Sequence, residues 1–144
     1  MAADTRLTIN ALKEMAATML RIYPPLAEKI GHFKTLVVQH FRDEDVAALK
    51  SVIIDALEAM LRADQEELRQ ASRIEDPRLR TRIRNLIAII HAQLIRIQTM
   101  ERDVKDYERA PSPELTAAIN RLVNDLGELL RKEDEELTGL EEAV

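Results

Sequence analysis

The chain has 144 residues, about one average domain, with 46% hydrophobic and 33% charged residues, three glycines, five prolines and a net charge of −5. That composition excludes disorder and collagen-like structure, and it leaves an all-β fold without turn residues. The absence of cysteine excludes disulfides, thiol catalysis and cysteine-bound zinc or iron–sulfur clusters.

The first predicted element runs over 5–41. Leu12, Met15, Met19, Ile22, Leu26, Ile30, Phe33, Val37 and Phe41 step by three or four residues, and the phase passes Pro24-Pro25 unchanged. A true loop has no reason to keep phase, so one helix path kinked by the two prolines is expected, or two helices nearly in line. The second element, 44–73, follows Asp43 as N-cap and carries Val46, Leu49, Ile53, Leu57, Met60 and Leu68. The third, 77–109, opens with Asp76 as cap and Pro77 at the first helical position. Its seam holds Ile83, Leu86, Ile90, Ile97, Met100, Val104 and Tyr107, with Gln93 also in line. The fourth, 113–141, opens with Ser112 as cap before Pro113. Leu115, Ile119, Leu122, Leu126, Leu129, Leu137 and Leu140 form its seam, and Glu133 interrupts it. Linkers of two to four residues force antiparallel neighbours, so the chain is read as one all-α domain over 1–144, an up-down-up-down four-helix bundle with a proline-kinked first helix.

No apolar stretch reaches the ~20 residues of a membrane span, and no secretory signal opens the chain. A soluble, cytoplasmic protein is expected. Metal ligation through histidine is disfavoured: there is no Glu-x-x-His, and His32, His40 and His91 fall at three levels of the bundle. Neither a metal nor another cofactor is expected. No Gly-x-Ser-x-Gly is present, and the acidic residues read as solvated helix faces, which argues against an enzyme.

Three features remain as candidate sites. Arg78, Arg80, Arg82 and Arg84 lie within seven residues and could hold an anion. The antiparallel register instead favours pairing with acids of the neighbouring helices, among them Asp64, Glu66, Glu67, Glu133, Asp134, Glu135, Glu136, Glu141 and Glu142. Nucleic acid is disfavoured by net charge and by aromatic content of 3%. At the proline kink, Tyr23, Pro24 and Pro25 come to the level of His91 and could frame a small-ligand pocket, or Tyr23 and His91 could satisfy the freed carbonyls. On the third helix, Ile89 and Ile95 flank the apolar arc on either side, a surplus that suits either a central helix contacted from several directions or a partner protein or second copy. The expected function is therefore that of a non-enzymatic interaction protein, an adaptor, chaperone-like or structural subunit. The alternatives are a ligand-sensing bundle and an anion or nucleic-acid contact through the arginines.

Overall fold

The computed structural model describes residues 2–38, 43–109 and 112–144, with side chains other than those of 2, 3, 33–38, 43–46 and 108. The expected seam side chains of Phe33, Val37, Phe41 and Val46, and the whole of His40, lie outside this set. Four long helices form: α1 (Ala2–Val38), α2 (Asp43–Ala71), α3 (Arg80–Arg109) and α4 (Pro113–Ala143). They pack in a ring, each on its chain neighbours and α4 back on α1, which is an all-α four-helix bundle. At 1.5 Å per residue the 37-residue α1 is about 55 Å long.

Local chemistry sets the helix ends. Ser112 Oγ accepts a hydrogen bond from the Leu115 amide at 3.1 Å and caps α4. Asp76 Oδ1 accepts from the Arg78 amide at 3.0 Å, but what it caps is a single 3₁₀ turn, Pro77–Leu79, that runs into α3. The end of α2 tightens in the same way, with the Arg73 amide donating to the Gln70 carbonyl at 3.1 Å.

Helix α1 continues through Pro24 and Pro25. Both prolines are exposed. The carbonyls that lose their partners belong to Leu20 and Arg21, which are also exposed.

Buried positions alternate by three and four on every helix: Ile9, Leu12, Ala16, Met19, Leu26 and Ile30 on α1, and Ile53, Leu57, Met60, Asp64, Glu67 and Ala71 on α2. On α3 the run continues from Ile83 to Tyr107 through Gln93. On α4 it passes through Ile119, Val123, Leu126, Leu130, Glu133, Leu137 and Leu140. Val123 and Leu130 thus replace the expected Leu122 and Leu129 at the centre, and these two leucines are half-buried beside them. This is the 3–4 step of a bundle seam. Two apolar clusters result. The larger joins residues such as Met19, Leu57, Ile97 and Leu126, and the smaller joins Ile9, Leu12, Leu86, Ile90 and Leu137. Polar seam residues separate them.

Candidate functional site

Asp64 and Glu67 are three residues apart on α2 and share its inward face. Gln93 on α3 and Glu133 on α4 complete a layer across the core, and none of the four has any exposed surface. On α1 the same stretch of seam carries the small Ala16, itself buried. Carboxylate oxygens of the three acids lie within 4.8 Å of one another. The Gln93 carboxamide ends 2.7 and 3.1 Å from Oδ1 and Oδ2 of Asp64, and donates to both when its NH2 is turned that way. Neither oxygen of Glu67 and neither oxygen of Glu133 has a hydrogen-bond partner. Among the described residues, no ion pair reaches any of the three carboxylates.

Taking one ionised carboxylate out of water costs several kcal/mol even after relaxation, and the layer holds three with no counter-charge. The balance is visible in their acidities. Burial, reinforced by Glu133, pushes Asp64 up to about 9. Burial also raises Glu67, reinforced by its contact with Glu133, and raises Glu133 against the opposing contacts of Glu67 and Gln93. All three carboxyl groups are thus held toward their protonated, neutral form.

The acids were expected on solvated faces, with Asp64, Glu67 and Glu133 as partners of the arginine cluster. They are in the core, because each sits on the unbroken 3–4 step of its helix. Arg78, Arg80, Arg82 and Arg84 are all exposed. Arg78 binds its own cap, donating to Asp76 at 3.1 and 3.3 Å, and the groove it lines also carries Asp4, Glu75 and Asp76. The Arg82 guanidinium lies over Gly139 of α4. Among the described residues no ion pair joins Arg80, Arg82 or Arg84 to α2 or α4. The nearby acid Glu141 pairs with Lys13 of α1 instead.

Of the residues expected around a pocket at the proline kink, Tyr23 is half-buried and Pro24 and Pro25 are exposed. The Tyr23 hydroxyl donates to the Val123 carbonyl of α4 at 2.9 Å, on the larger-cluster side of the polar layer. His91 is exposed, since two residues at 100° each turn it away from the inward Gln93. Of the helix α3 shoulders, Ile89 is half-buried and Ile95 stands 59% exposed.

Histidine spacing carries no trace of the carboxylate layer. Its signal was the interruption of two apolar seams by Gln93 and Glu133, and counting the α2 seam strictly adds Asp64 and Glu67. No helix of the described residues is long and apolar enough to cross a membrane. Comparison of the chain with protein-family models, with curated proteins and with solved structures finds no match.

Proposed function

We propose that the protein is a non-enzymatic helical-bundle interaction protein whose core takes up a cation, the bound charge drawing α2, α3 and α4 together behind the surfaces offered to a partner. One observation carries this reading: four carboxylate oxygens, on Glu67 and Glu133, are buried without a hydrogen bond beside Asp64. Buried anions demand a partner of opposite charge, and among the described residues no side chain supplies one. A structural rather than catalytic role is supported by closure of the layer, which leaves no exposed carboxylate for a substrate to meet. Dialysis of the full chain against mixed-salt buffer, followed by elemental analysis, tests it. The parent should retain about one cation per chain, and the Asp64→Asn, Glu67→Gln, Glu133→Gln variant less than a tenth of that. Equal retention by the two proteins would refute the reading.

A second reading rests on Ile95, a large apolar side chain 59% exposed on α3. It suits self-association through that face. Ile95→Lys should then lower the mass measured by light scattering at micromolar concentration, whereas a parent that is already monomeric leaves this reading without support.

A further inference from the structure

Resting on the cation-binding reading, we infer that the layer is a site for a hard divalent cation of Ca2+ size, held by Asp64, Glu67 and Glu133 and by the side-chain carbonyl of Gln93. The donors are all oxygen. No cysteine exists in the chain and His91, two residues from Gln93, points to solvent, so the set lacks the nitrogen and sulfur that favour zinc or copper. Three carboxylates, each able to give one oxygen or two, with one amide oxygen supply up to about seven ligands, within the six to eight that Ca2+ takes.

Distance permits the ion. Two oxygens on opposite sides of a Ca2+ ion are about 4.6–5.2 Å apart, given bonds of 2.3–2.6 Å. The carboxylate oxygens lie within 4.8 Å of one another, close enough for all three acids to reach one cation. Mg2+ holds shorter bonds and keeps several waters, and a layer with no exposed surface has little room for them.

The oxygens of Glu67 and Glu133, fully buried and without a hydrogen-bond partner, are the observation that asks for a ligand, and Gln93 adds a neutral donor. Gln93 comes from a helix that supplies no acid to the layer, is completely buried, and aims its amide at Asp64. In one orientation the NH2 donates to Asp64. A half-turn about its last torsion presents the oxygen instead, so one side chain serves the layer with and without the ion.

The test is titration of full-length protein, stripped with chelator and kept at constant ionic strength with choline chloride, using CaCl2, MgCl2, NaCl or KCl alone. Calorimetry should show one Ca2+ per chain, at least tenfold tighter than Mg2+, with a rise in Tm. Glu67→Gln and Glu133→Gln each keep shape while removing a buried charge, so both remain folded by circular dichroism. Each should weaken Ca2+ at least tenfold, and Gln93→Leu several-fold. If Na+ or K+ alone binds and raises Tm, or if Mg2+ binds more tightly than Ca2+, this inference falls while cation uptake stands. If no cation binds, both fall.

Discussion

At position 127 a single hydrogen atom decides whether α1 and α4 can meet. A methyl group on Gly127 would come within 2.8 Å of Tyr23 Cζ, closer than carbon atoms approach, and the ring cannot swing aside because its hydroxyl is bonded to Val123. Gly127→Ala should therefore destabilise the bundle by about 1–3 kcal/mol despite alanine's better helix propensity. Gly31 is the control: it lies in α1, is exposed, and has nothing within 4 Å of an added methyl. Gly31→Ala should stabilise by about 0.5–1 kcal/mol. Gly139 is intermediate, since the atoms in the way belong to the flexible end of Arg82. Urea denaturation of the three variants checks the order, and a Gly127→Ala protein as stable as Gly31→Ala would mean that Tyr23 does not fill that gap.

Among the elements, α1 is the one built against its own sequence. Two prolines in a helix interior remove two hydrogen bonds, at ~3 kcal/mol or more for a proline in that setting. The helix persists because Met19, Tyr23, Leu26 and Ile30 all face the larger apolar cluster, and burial of that face outweighs the lost bonds. Replacing Pro24 and Pro25 together by alanine should thus raise stability, by up to about 3 kcal/mol, as read from the urea midpoint. A fall would show that the prolines set a bend on which the Tyr23 contact depends. The helices themselves were legible from Leu, Ile and Met steps, and their starts from Ser112 and Asp76, because caps and periodicity are local. The core layer was less so. Asp64, Glu67, Gln93 and Glu133 keep the 3–4 step, but a hydrophobic count passes over them, and the packing that buries them brings together residues up to 69 positions apart in sequence. For the arginines the complementary reason covers part of the set: helix register puts Asp64, Glu67 and Glu133 on the inward face while Arg80, Arg82 and Arg84 stay outside, and the exposed Glu141 is taken by Lys13.

For the molecule as a whole, the acid layer turns the usual pH dependence of stability around. Asp64 is raised from 3.8 to about 9 in the folded chain, chiefly by burial. Below about pH 4 it is protonated whether the chain is folded or not, and the full contribution of the neutral group is present. Between there and about pH 9 the folded state keeps a proton that the unfolded state has released, so stability falls as pH rises, by about 1.4 kcal/mol per pH unit for each such proton. Glu67 and Glu133, raised by burial, act in the same direction. Asp76 and Glu128 act in the opposite sense, as hydrogen bonds from Arg78 and Arg131 hold them below the usual carboxylate range. Their contribution is lost only as pH falls through the acid region below about 4, outside the window in question. In chelator, the urea midpoint should therefore be higher at pH 5 than at pH 8. Asp64→Asn, which is neutral at both, should flatten the slope, and Glu67→Leu should raise the midpoint at pH 8 by about 1–4 kcal/mol equivalent, as apolar replacement of buried charge does elsewhere. A parent more stable at pH 8 than at pH 5 under those conditions would mean that the three carboxylates are hydrated in solution and that the core is open at their level.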